Sequence, residues 1–164
     1  MPIVHLICGS TGAGKTTYAK ALADRVRGVR FSIDEWIATL FLPDRPPQLS
    51  SAWAIERAAR CEGQMWTIAD QLVARGVDVI FDVGLSRREH RDRFRMRAAR
   101  AGGNSKLHYL DVDAETRRER VRVRNTLGSG TFAFEVTDEM FDYLENLFES
   151  PDDDELHEAM IVCS

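Results

Sequence analysis

Lysine is scarce in this sequence, with Lys15, Lys20 and Lys106 the only three, and from Glu135 onward there is no Lys or Arg at all. Apolar runs such as 3–8 and 77–81 stop far short of the roughly 18 residues that a membrane span needs, so no helix is expected to cross a bilayer. The three cysteines, Cys8, Cys61 and Cys163, are odd in number, widely spaced and form no CxxC pair, which supports neither a disulfide framework nor a zinc ribbon; buried thiols are expected. Four histidines without an HExxH pattern give no support to a histidine-held metal. The amino terminus shows no basic stretch, apolar core or small-residue cleavage site, and a cytoplasmic protein is expected. A net charge of −4 argues against nucleic-acid binding through bulk positive charge. With 164 residues, no internal repeat and no low-complexity linker, residues 1–164 read as a single domain.

What is present alternates between strand and helix. Residues 3–8 read as a buried strand entering a glycine-rich turn, and 15–27 as a helix with Tyr18, Ala19, Leu22, Ala23 and Val26 on one stripe, stopped by Gly28. A second strand, 29–33, ends at Asp34. Pro43, Pro46 and Pro47 make 40–49 a loop. Ser50 or Ser51 caps a long helix with the stripe Ile55, Ala58, Ala59, Met65, Trp66, Ala69, Leu72 and Val73. A third strand, 77–81, ends at Asp82, and an arginine-rich helix over 87–101 stops at Gly102-Gly103. Then come a strand over 107–112, a helix over 114–126, a glycine-containing turn over 125–131, and a helix capped by Thr137 with the stripe Met140, Leu144, Leu147 and Phe148. A fifth strand, 159–163, closes the chain. The pattern predicts an α/β fold with a parallel sheet covered on both faces and ligands at the carboxyl ends of its strands.

Gly9-Ser10-Thr11-Gly12-Ala13-Gly14-Lys15-Thr16 matches G-x-x-x-x-G-K-[ST], the Walker A phosphate loop, between a buried strand and a helix as that motif requires. The glycines let successive backbone N–H groups curl towards phosphate oxygens, and the helix start adds its positive dipole end. Lys15 supplies a mobile charge for the outer phosphates and the Thr16 hydroxyl a ligand for Mg²⁺; Thr17 follows as a further nucleotide-binding candidate. Nucleoside triphosphate binding is the firmest functional expectation.

Asp34 follows the second strand and Asp82 the third, which should place both near this loop at the same edge of the sheet. Asp82 best suits a water-mediated hold on Mg²⁺, leaving Asp34 to take the proton of an attacking hydroxyl, although the two could exchange roles and Asp34-Glu35-Trp36 could simply open a helical turn. Twelve arginines lie between Arg87 and Arg124, against eleven acids from Glu135 onward. Arg117, Arg120 and Arg124 share a helical face, and Arg118 and Arg122 form a second row that Glu115 and Glu119 could neutralise. Arg87, Arg88 and Arg91 could reach an anionic acceptor, while other arginines of that helix could pair with the acidic carboxyl-terminal third.

Together, the loop 9–16, Phe31-Ser32-Ile33-Asp34-Glu35-Trp36, Ile80-Phe81-Asp82-Val83-Gly84-Leu85, Leu110-Asp111-Val112 with 117–125, and Phe148-Glu149-Ser150-Pro151 resemble the zeta-toxin and chloramphenicol-phosphotransferase-like P-loop kinases. That group is also similar to the kinase half of phage polynucleotide kinase. The resemblance implies a three-layer P-loop NTPase sandwich with strand order 2-3-1-4-5 and a small helical lid over about 115–136. It implies ATP with Mg²⁺ as phosphoryl donor, Asp34 as the base, Arg120 and Arg124 as lid arginines, and Arg91 with Asp34 and Trp36 near the acceptor. Ser32 stands where shikimate-kinase-like relatives carry the first acid of Asp-x-Asp, which argues against that branch. The leading expectation is a kinase acting on a hydroxyl of a small molecule. The alternatives are a 5′-hydroxyl polynucleotide kinase and an acceptor-free ATPase or switch module.

Overall fold

The computed structural model describes residues 1–48, 50–127 and 136–163. Five parallel strands, β1 (Ile3–Cys8), β2 (Val29–Ser32), β3 (Val79–Asp82), β4 (Asn104–Asp111) and β5 (Met160–Cys163), form one sheet in the order β2-β3-β1-β4-β5. The central strand β1 is buried on both faces, which is why it reads as a nearly unbroken apolar run rather than an alternating one.

The alternation of β1 sorts the two faces. Val4, Leu6 and Cys8 join Phe31, Val79 and Phe81 beneath α3 (Ser51–Val73) and α4 (Arg88–Arg100), which contribute Met65, Trp66, Ala69, Phe94 and Ala98. The rings of Phe31, Phe81, Trp66 and Phe94 pack with centroids 4.5–5.4 Å apart, an aromatic centre for that layer. On the opposite face Ile7 and Ile80 meet Ala19 and Leu22 of α1 (Lys15–Val26). Helices on both faces of a parallel sheet make the expected three-layer arrangement.

Several elements depart from the sequence expectations. The second strand ends at Ser32, and Ile33–Leu40 forms a helix, α2, whose first turn carries Asp34. Ser32 caps it, its Oγ accepting from the Glu35 N–H at 3.4 Å, so Asp34-Glu35-Trp36 does open a helical turn, which leaves the role of Asp34 open. The acidic run 152–155 opens a short helix, α7 (Asp153–Glu158), through a capping box between Asp152 and Glu155. Helix α6 (Asp138–Leu147) is capped by Thr137 as expected, yet it buries Phe141 and leaves Met140 and Leu144 exposed. The reason lies on α5 (Ala114–Leu127), whose Arg117 and Arg118 guanidinium groups lie over the Phe141 ring at 5.5 and 4.5 Å. Ile55 is exposed on α3, and Cys163 is exposed on the edge strand, so only Cys8 and Cys61 are the expected buried thiols. The turn expected over 125–131 and the lid over 115–136 include residues 128–135, which lie outside the described residues; 125–127 continue α5. No described helix is long and apolar enough to cross a membrane.

Candidate active site

The loop after β1 turns through two positive-φ glycines, Gly12 at 81° and Gly14 at 89°. The left-handed backbone favours glycine at both, and at Gly12 space demands it as well. A Cβ on Gly12 would lie 2.5 Å from the Arg117 carbonyl oxygen, because α5 packs directly against the loop, whereas a Cβ on Gly14 would meet only the Arg120 Nη1, at 3.9 Å. Open space above Gly14, at the amino end of α1, is the cradle that a phosphate needs, and the Arg120 guanidinium sits at its rim. Lys15 folds back so that its Nζ donates to the Ser10 carbonyl at 2.9 Å, and the Ala13 N–H donates to the same oxygen at 3.2 Å.

Two carboxylates face this loop, Asp82 from β3 and Asp34 from α2. Asp82 is buried at the end of β3, and Arg30 on β2 donates to its Oδ2 at 2.9 Å while also pairing with Glu35. Among the described residues no cation is hydrogen-bonded to Asp34. Its pKa is pushed up to about 6 by burial first and by repulsion from Asp82 second, against the opposing pull of Lys15 and Arg124. Burial likewise lowers the Lys15 ammonium, with Asp82 and Asp34 resisting, and lowers the Arg124 guanidinium, with Asp34 resisting. These mutual fields bring Lys15, Asp34, Asp82 and Arg124 into one electrostatic cluster. Among the described residues no group of three or more His, Cys, Asp or Glu could cage a metal. A loop threonine and one carboxylate, however, suit Mg²⁺, which keeps most of its waters and takes phosphate oxygens as ligands. Thr16 lies in the first turn of α1 and Asp82 retains one oxygen not engaged by Arg30.

A strand, a glycine loop matching the Walker A pattern, a helix and a 2-3-1-4-5 sheet are one continuous unit here, and comparison of the sequence with protein families matches the AAA domain over residues 4–151. The chain belongs to the AAA domain family. No curated protein matched the sequence. Among solved structures, this AAA domain is similar in fold to a sugar kinase from Janibacter sp. HTCC2649, with TM-score 0.64, 22% identity, and 99% of this chain and 86% of that chain covered. It is similar to Kti12 of Chaetomium thermophilum in complex with ADP-AlF3, with TM-score 0.70, 16% identity and coverage of 99% and 89%. A gluconokinase from Sinorhizobium meliloti 1021 is similar at TM-score 0.63, 16% identity and coverage of 99% and 82%.

Not every candidate of this AAA domain reaches the site. Arg91 is a correction: it is wholly enclosed, donates to both Glu155 carboxylate oxygens at 2.8 and 2.7 Å, and gives Nη1 to the Leu85 and Glu149 carbonyls. A guanidinium with every edge engaged inside the protein has none to offer an acceptor. Trp36 is half-buried, edge-on to Phe31 with centroids 6.1 Å apart, and packs against the core. Thr17 is exposed on α1. The Ser10 hydroxyl donates to Glu145 Oε2 at 2.6 Å, and the Thr11 carbonyl accepts from Arg117 Nη1 at 3.2 Å. Arg30 and Glu145 were not singled out from the sequence. For Arg30 there was a signal, a charge inside the short strand Val29–Ser32 that must find an acid on the neighbouring strand. Glu145 is one of eleven carboxyl-terminal acids and carried none.

Proposed function

We propose that this AAA domain is an ATP- and Mg²⁺-dependent kinase that moves the γ-phosphate to a hydroxyl of a small molecule. The observation that carries the reading is Asp34, a carboxyl held near neutral pKa in the same cluster as the phosphate-loop lysine. The loop amides and Lys15 bind the phosphates, and Arg120 at the rim of the cradle and Arg124 beside Asp34 counter the charge on the transferring group. Thr16 and Asp82 would hold Mg²⁺, which would supply positive charge against the phosphates. Asp34 accepts the proton as the acceptor oxygen bonds to the γ-phosphorus and the bond from that phosphorus to the bridging oxygen breaks, leaving ADP. Gly9, Ala13 and Thr17 complete the nucleotide contacts in this reading, and Trp36 walls the acceptor side.

The motifs' resemblance to zeta-toxin and chloramphenicol-phosphotransferase-like kinases, and the likeness in fold to a sugar kinase and a gluconokinase, support a small hydroxylated acceptor. A nucleic-acid acceptor is disfavoured because Arg88, Arg91, Arg95, Arg117, Arg118 and Arg122 are engaged by carboxylates of the chain itself. Asp34→Asn separates the kinase from an acceptor-free ATPase: a kinase loses acceptor-dependent transfer while keeping nucleotide affinity, whereas a switch keeps its hydrolysis.

A further inference from the structure

Ser10, Thr11 and Gly12, the first half of the phosphate loop, rest on two side chains that no phosphate contacts in the reading above. Arg117, buried on α5, donates from Nη1 to the Thr11 carbonyl at 3.2 Å and from Nε to the Val112 carbonyl at 2.8 Å. Across a trans peptide the carbonyl and the following N–H point in opposite directions, and no peptide here is cis. Drawing the Thr11 carbonyl towards Arg117 therefore turns the Gly12 N–H away from α5. Arg117 is in turn gripped through Nη1 and Nη2 by Glu145 of α6, at 2.7 and 2.6 Å, and the same carboxylate accepts a hydrogen bond from the Ser10 hydroxyl at 2.6 Å. Arg117 holds the Glu145 carboxyl below its usual range, with the Ser10 hydrogen bond adding to the effect.

We propose that Glu145 is a positioning residue for nucleotide, holding the loop in its phosphate-receiving shape through Ser10 and Arg117. The loop needs such a support because converging N–H dipoles repel one another until an anion arrives. Glu145 joins α6 to both α5 and the loop, so its removal frees both the Ser10 side chain and the guanidinium that orients the Thr11–Gly12 peptide. The inference rests on the nucleotide-binding reading. It makes a prediction opposite in sign to simple electrostatics. Deleting a carboxylate beside a polyanion site, and so leaving Arg117 uncompensated, should strengthen anion binding on charge alone; loss of a support weakens it.

The test is calorimetric affinity for Mg·ADP in wild type, Glu145→Ala, Glu145→Gln, Ser10→Ala and the Ser10→Ala/Glu145→Ala double variant, at a temperature where circular dichroism shows each folded. Glu145→Ala is expected to raise Kd about tenfold, the scale of one hydrogen bond to a charged group. Glu145→Gln, which can still accept from Ser10, should recover part of that loss, and the double variant should be no weaker than Glu145→Ala alone, because both changes cut the same link. A purely structural role would lower the unfolding temperature and leave the Kd of the folded protein unmoved. Wild-type binding with unchanged or tighter binding by Glu145→Ala overturns the proposal. Failure of wild type itself to bind Mg·ADP overturns the nucleotide reading, and is told apart by the arm that fails.

Discussion

Asp34 and Asp82 are chemically identical, yet their surroundings assign them different work. Arg30 neutralises Asp82, whereas Asp34 faces Asp82's charge from a desolvated position and titrates near 6. For a base in the free enzyme, kcat/KM should therefore climb with pH through about 6 and level off above it; Asp34→Asn should remove that ionisation and lower turnover by roughly 10²–10⁴-fold. The same shift predicts a stability effect. A carboxyl whose folded pKa lies above its unfolded value favours folding at low pH and loses that contribution as pH rises through about 6. Asp34→Asn should accordingly be more stable to urea than wild type at pH 8, with the difference fading towards pH 4. The phosphate loop was legible residue by residue because its chemistry dictates its spacing. The role of Arg91 was not, because only the fold brings Glu155, 64 positions on, to its guanidinium.

Among the elements, α4 and α7 show how that arginine is used. The Arg91–Glu155 pair ties α4 to the helix that feeds β5, and its Nη1 bond to the Leu85 carbonyl steadies a turn in which Leu85, fully buried, adopts a φ of 27°. Arg95 adds a second cation to Glu155 at 2.6 Å. Arg91→Ala leaves Glu155 with Arg95 alone and takes the donor from the buried Leu85 and Glu149 carbonyls, and should cost about 3 kcal/mol, read as a fall in the urea midpoint. Element existence was legible wherever an apolar stripe or strand run was long, as in β1, whose bounds of 3–8 the structure keeps. Short helices were harder. The Ser32-x-x-Glu35 and Asp152-x-x-Glu155 pairs are cap signals, but one adjoins a strand and the other lies in what reads as a solvated acidic run. The stripe on α6 was misassigned because Phe141 packs into a small cluster with Val121 and Val136, with the Arg117 and Arg118 guanidinium groups over its ring, and that cluster forms only when α5 and α6 meet.

In the molecule as a whole, charge asymmetry closes on itself. Arginines of α4 and α5 meet acids of 138–155 through Arg88, Arg91, Arg95, Arg117, Arg118 and Arg122, so much of the basic region that the sequence offers as an anion site is internal glue. A second polar path crosses the α1 face of the sheet, where His5 Nδ1 and His108 Nε2 lie 2.8 Å apart and His108 Nδ1 lies 2.8 Å from the Tyr18 hydroxyl. Burial pulls His5 down and His108 down to about 4, with the neighbouring imidazole adding to the effect on His108. Buried neutral histidines stabilise the fold above the unfolded histidine value and lose that contribution as pH falls towards 4. In an Asp34→Asn background, which removes the opposing carboxyl, unfolding free energy should therefore fall between pH 7 and pH 5, and His108→Gln should flatten the fall. The central claim is phosphoryl transfer with Asp34 as base, and ATP consumption with Mg²⁺ against pooled hydroxyl acceptors tests it most directly, with Asp34→Asn and Lys15→Ala beside wild type. The account predicts acceptor-dependent turnover lost in both variants; turnover that ignores acceptors and survives Asp34→Asn would contradict it.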